Sequence, residues 1–301
     1  MSSPLPSVAL ARWLLQRAKT NRRGFTLAEL LVAIAVGSVI VTSMLYLVVE
    51  LLGTNVREER LTQAQQDTRR ALDYISRDAR EAVFVYADPA TVADQLTDAP
   101  ADSIPVLAFW RLKPIDIGAI AGCNTDACAT LRVRQNVYDL VVYFHRPNNP
   151  GDLWSGPGRI IRYELTNYSN FAAQTPTDGY RDPSLTRDGF ASWTREGDTT
   201  TGSKPVLADF IDVHDDTLGD VVCPTAFLPT TTAESNSFFV CVRDTGAGAN
   251  PLNQSMSVFL RGSTVEPGTG TAVIFGPTSR NSSLPTISTE VLVRGRIERQ
   301  L

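Results

Sequence analysis

The stretch that decides the fold runs from Asn21 to Asn55: NRRGFTLAELLVAIAVGSVIVTSMLYLVVELLGTN. From Leu30 to Val49 it carries no charged residue and is rich in Leu, Val, Ile and Ala. Roughly 20 such residues at about 1.5 Å rise cross the ~30 Å hydrocarbon core of a bilayer. A core helix of that length in a soluble protein would show a polar stripe, and this one does not. Directly ahead of the run stands a carboxylate, Glu29. An acid deep in lipid costs roughly 2.5–3.5 kcal/mol on insertion scales, and such residues tend to have a function and a partner. The alternative is an acid in the first helical turn, near the headgroups and favoured by the helix dipole.

The flanks set the orientation. Arg12, Arg17, Lys19, Arg22 and Arg23 precede the run, with no acidic residue before Glu29. The positive-inside bias keeps that end in the cytoplasm and sends the remainder across. A cleaved secretory signal has an apolar core of about 7–15 residues and a small-residue cleavage site. Here the apolar core is longer and ends in VVELLGTNVREE without such a site, so the segment is expected to remain as an anchor.

Beyond Gly53 hydrophobicity falls but helical periodicity continues. Leu61, Ala64, Thr68, Leu72, Ile75, Ala79 and Ala82 recur at three- and four-residue steps, with Arg57, Glu58, Arg60, Asp67, Arg69, Arg70, Asp73 and Arg77 on other faces. The expectation is one helix from about Phe25 to Val83, membrane-embedded over 25–52 and amphipathic over 53–83. From SIPVLAFWRL onward the pattern changes to short strands: VYDLVVYFHR, RIIRYEL, SFFVCVR, SMSVFLR, TAVIFG and TEVLVRGRI, separated by Pro, Gly, Asn and Asp. One helix followed by a run of strands implies an α+β protein, the helix packed on a mostly antiparallel sheet in a head spanning 84–301. Residues 166–205 are dense in Thr, Asp, Gly and Ser and too long for an ordinary connection, so they form an insertion. Tyr168, Phe171, Tyr180, Phe190 and Trp193 punctuate it. Such rings either pad the insertion against the sheet or present a sugar- or partner-facing surface.

Of 28 basic and 32 acidic residues, the first 24 positions hold five basic and no acidic ones, so the chain from Phe25 carries a net charge of −9. That balance argues against nucleic acid as main partner, which needs clustered Lys and Arg. Four cysteines, Cys123, Cys128, Cys223 and Cys241, lie beyond the anchor, in a compartment that permits disulfides. Three connectivities are open. The favoured one pairs Cys123 with Cys128 and Cys223 with Cys241; a four-thiolate zinc site is the rival, with a loose spacing and oxidation against it. No phosphate loop, dinucleotide fingerprint or metalloprotease motif appears, and His145 and His214 lack a placed nucleophile, so the chain reads as non-catalytic. Asp212, Asp215, Asp216 and Asp220 stand close together in DVHDDTLGD. Oxygen ligands at this spacing can hold calcium, but the alternation of an EF-hand loop is missing, and a solvated acidic turn is preferred. No cofactor is expected.

Arg22-Arg23 followed by Gly24-Phe25-Thr26-Leu27-Ala28-Glu29 and a spanning run resembles the N-terminal signature of type IV prepilins and type II secretion pseudopilins. The resemblance implies a pilin-like fold and a leader of residues 1–24, cut by prepilin peptidase between Gly24 and Phe25. It also implies N-methylation at Phe25 and assembly with other pilins or pseudopilins on an inner-membrane platform. Glu29 would then neutralise the Phe25 amine of a neighbouring subunit, a pair that sets register because a buried charge is costly when alone. The helix would be single-pass in lipid, its N-terminus cytoplasmic and its head periplasmic, alone or within a filament. ALDYISRDAREAVFVY, SIPVLAFWRL and LPTISTEVLVRG, with the large size, look like the minor pseudopilins of the hormogonium polysaccharide secretion system in filamentous cyanobacteria. Some pseudopilins use calcium. Rival readings are a minor pilin or pseudopilin for protein secretion or retractile pili, and a membrane-anchored sugar-binding module or enzyme.

Overall fold

The computed structural model describes residues 24–120, 122, 124–185, 189–214, 221–230, 235–243, 255–264 and 284–294. They belong to two compact units, Met1–Glu58 and Glu59–Leu301. One helix, α1 (Leu27–Arg80), contributes residues to both.

In the first unit α1 is apolar from Leu27 to Leu52, with a mean hydropathy of 2.4. Its large apolar side chains there are exposed. By length and composition this segment can cross a membrane. Its serine and threonine hydroxyls are satisfied within the helix: Ser38, Thr42 and Ser43 donate to the carbonyls of Ala35, Ser38 and Val39 at 2.8, 2.7 and 2.8 Å. In a medium that offers no hydrogen bonds, that is the cheapest place for a polar side chain.

In the second unit the periodic stripe does what its spacing requires: Ala64, Thr68, Ala71, Leu72, Ile75 and Ala79 are buried. The helix stops at Arg80, short of the expected Val83, because Ala82–Val85 form a strand, β1, instead. This β-branched and aromatic run pairs with β2 (Ile104–Pro114), Phe84 opposite Trp110 and Val85 opposite Phe109. A one-turn helix, α2 (Ala90–Ala93), lies between β1 and β2, and α3 (Asp126–Arg134) follows β2. Then come β3 (Asn136–Pro147), β4 (Gly158–Leu165), the small strands β5 (Tyr168–Asn170) and β6 (Thr175–Pro176), and β7 (Val206–Ile211). Last are β8 (Phe227–Pro229), β9 (Phe238–Arg243), β10 (Ser255–Leu260) and β11 (Ile287–Leu292). The larger sheet has the order β1-β2-β3-β4-β7, the second β11-β10-β9-β8, and neighbours in both are antiparallel. The α+β architecture expected from the sequence is present. TAVIFG, at 271–276, lies outside the described residues.

The larger sheet is buried on both faces, which is why the middles of β2 and β3 read as nearly continuous apolar runs. Phe109, Val141, Tyr143 and Ile160 meet the α1 stripe together with Phe238, Val240, Met256 and Val258 of the second sheet. Trp110, Leu140, Val142, Tyr163 and Leu165 are covered from the other side by the insertion. Its rings are padding: Tyr180, Phe190 and Trp193 are buried around Trp110 at centroid distances of 6.1, 6.1 and 5.6 Å. Their polar ends are satisfied, Tyr180 Oη donating to the Tyr138 carbonyl at 2.6 Å and Trp193 Nε1 to the Arg181 carbonyl at 2.9 Å. These three rings therefore do not form a displayed sugar-facing surface. The insertion's far end is latched by Asp98, which accepts from Tyr163 Oη and Thr200 Oγ1 at 2.6 Å each and from the Gly202 amide at 2.9 Å. A Cβ at Gly202 would run into the Tyr163 ring, so only glycine lets the chain pass there.

Candidate processing and assembly site

The residues that carry the N-terminal signature begin the described chain. Gly24, Phe25 and Thr26 precede the helix in irregular backbone, and Phe25 is 80% exposed. Thr26 serves as the N-cap: its Oγ1 accepts the Glu29 amide at 3.3 Å, and its carbonyl accepts the Glu29 and Leu30 amides at 3.0 and 3.2 Å. Thr26-Leu27-Ala28-Glu29 thus has the T-x-x-E spacing of a capping box, and the cap fixes where the helix begins. Glu29 is exposed in the first turn, where an acid complements the dipole. Among the described residues no side chain pairs with its carboxylate. A Cβ at Gly24 would meet nothing within 4 Å, so the backbone there does not itself demand glycine. The basic residues of 1–23 lie outside the described residues.

Against known families, the prokaryotic N-terminal methylation motif matches residues 19–45. The match supports a type IV pilin-like assignment, and it implies processing by prepilin peptidase and assembly with other pilins. The apolar Leu27–Leu52 segment is consistent with a membrane-anchored, single-pass pilin. Comparisons with curated proteins and with solved structures found no match to the chain.

The other sequence candidates fall in the head. Cys223 and Cys241 form a disulfide with Cα atoms 5.7 Å apart, as expected, which removes the four-thiolate zinc site. Cys128 is disulfide-bonded as well, and Cys123 lies outside the described residues. Of the calcium candidates, Asp212 is buried and its Oδ2 accepts Arg261 Nε at 2.7 Å. That ion pair occupies the carboxylate, while Asp215, Asp216 and Asp220 lie outside the described residues. His145 is buried beside Ser235, Nδ1 to Oγ 3.1 Å. Burial pushes its imidazole down to about 4, with the Arg261 charge adding to the effect against a hydrogen bond that the ring donates to the Asp212 backbone. The ring is neutral at pH 7 and sits in the core rather than in a cleft.

Sequence reading missed the ionic cluster that ties α1 to the larger sheet. Asp78 accepts Arg162 Nε at 2.8 Å and Tyr143 Oη at 2.7 Å on one oxygen and Arg111 Nη1 at 2.9 Å on the other. Arg111 and Arg162 also hold Glu164, and Lys113 reaches Asp139 at 3.1 Å. Burial alone would raise the Glu164 carboxyl, but Arg162, Arg111 and Lys113 hold it below its ordinary value. Asp139 goes the other way: burial raises it more than Lys113 lowers it. The sequence signal was available for one member only, since Asp78 stands three residues after Ile75 on the flank of the stripe.

Proposed function

We propose that the chain is a minor, non-catalytic pseudopilin of a type IV pilus- or type II secretion-like machine, supporting polysaccharide export and gliding motility. In this reading prepilin peptidase cuts between Gly24 and Phe25 and the new Phe25 amine is methylated. Residues 25–52 anchor the subunit in the inner membrane with the head in the periplasm, where it joins other pseudopilins. The observation that carries the reading is the methylation motif over residues 19–45, set on an apolar helix whose start is capped at Thr26. The likeness of the three quoted stretches, together with the large size, to hormogonium pseudopilins supports the finer assignment.

Glu29→Val tests it. Removing a charge from the spanning segment leaves insertion unchanged or easier. If Glu29 served only the helix start, the loss would be roughly 0.3–1 kcal/mol and assembly would persist. As the partner of a neighbour's amine, its loss leaves that amine alone in a low-dielectric bundle. The expected outcome is a variant inserted and cleaved as wild type that no longer co-purifies with partner pseudopilins and no longer supports export. Normal assembly and export by Glu29→Val would defeat the reading, and loss of cleavage would give the residue to peptidase recognition instead.

A further inference from the structure

We infer that the head carries a binding cleft for a neutral saccharide, built where α3, the start of β3 and two stretches of the insertion converge. The cleft has a volume of about 580 Å³, within the ~300–1,000 Å³ typical of small-molecule sites. Its floor is apolar, made in part by Leu131 and Val137 of the third core cluster. Its walls are polar and come from distant parts of the chain. Gln135, in the left-handed conformation at φ 57°, ends α3 and turns directly into β3, which brings Arg134 and Asn136 to the same cleft. The insertion adds Asn167 and Tyr168 from one side and Asp182 from another.

The charges in this lining cancel. Arg134 Nη1 donates to Asp182 Oδ2 at 2.8 Å, and Asp182 Oδ1 accepts the amide and hydroxyl of Ser184 at 2.9 and 2.6 Å. Asp182 is thereby fixed, while the Arg134 side chain stays 45% exposed, with further N–H donors to offer. An anion would meet the Asp182 carboxylate and a cation the Arg134 guanidinium. A purely apolar ligand would strip water from amides and hydroxyls and return no partner. What the lining suits is a neutral ligand dense in hydroxyls, each both donor and acceptor. The side-chain amide of Asn167, which makes no hydrogen bond among the described residues, and that of Asn136 supply both functions. Tyr138 and Tyr168, both partly buried, give the rings against which the C–H face of a pyranose packs.

The inference deepens the export reading and rests on it for which glycan is bound. The full chain in lipid nanodiscs would be probed by saturation-transfer NMR with maltotriose, cellotriose and neutral oligosaccharides released by mild acid from the extracellular glycan of the same cells. The expected result is transfer to at least one of these, weakened at least tenfold in Asn167→Ala and in Tyr168→Ala, whose melting curves match wild type. No transfer to any of the saccharides overturns the inference, as does transfer unchanged in both variants. Export by Glu29→Val is scored separately, so failure of the cleft and failure of the export reading give different results.

Discussion

Asp78 is the residue through which α1 holds its place on the sheet. Its side chain is 5% exposed and accepts hydrogen bonds from two arginines and a tyrosine. Asp78→Ala would leave the buried Arg162 and the partly buried Arg111 with a cationic excess, and breaking such a pair typically costs about 3–5 kcal/mol. Urea unfolding of the full chain in detergent should show a loss of that size. Asp139→Asn is the internal contrast. Because burial raises that carboxyl above its unfolded value, its ionised form works against the folded state at neutral pH. Its partner Lys113 is 44% exposed and can return to water, so Asp139→Asn should leave stability unchanged or higher. Equal losses in the two variants would contradict this account of the cluster. The cluster was illegible in the sequence because it depends on register: Arg111 faces Asp139 across β2 and β3, and Arg162 faces Tyr143 across β3 and β4. Alternation in RIIRYEL separates Arg162 and Glu164 from Ile161, Tyr163 and Leu165, but it cannot say that both faces are covered.

At the scale of elements, periodicity was a reliable guide wherever one physical demand dominated. The apolar run and the stripe from Ala64 to Ala79 appear as expected, because nothing competes with the helix there. Its end was misread by three residues, since AVFV satisfies a strand ladder as well as another turn. SIPVLAFWRL, RIIRYEL, SFFVCVR and SMSVFLR all fall on strands, whereas their order in two sheets follows from long-range pairing that spacing does not encode. The cleft was hidden for the same reason, assembled as it is from α3, β3 and both parts of an insertion. The disulfide is the element-scale tie that the sequence did favour. Cys223–Cys241 closes a loop with a sequence separation of 18 and joins the segment before β8 to β9. Loop-closure entropy assigns such a link about 3 kcal/mol. Replacing both cysteines with serine should lower the urea midpoint accordingly, while an unchanged midpoint would mean that the segment is held by other contacts.

For the whole molecule, the sequence divides the work between an apolar segment with a basic flank and an acidic head with its own core. A pilin-like subunit needs both, and it needs one covalent event at the junction between leader and helix. Whether that event occurs decides between a pilin-like subunit and any other anchored protein. The full chain, extracted from membranes of cells that make it, would be read by mass spectrometry of its N-terminal peptide. The expected chain starts at Phe25 with a methylated amine, directly before the Thr26 cap. A chain that retains residues 1–24, or one cut beyond the apolar run near Leu52, would contradict the pilin-like reading.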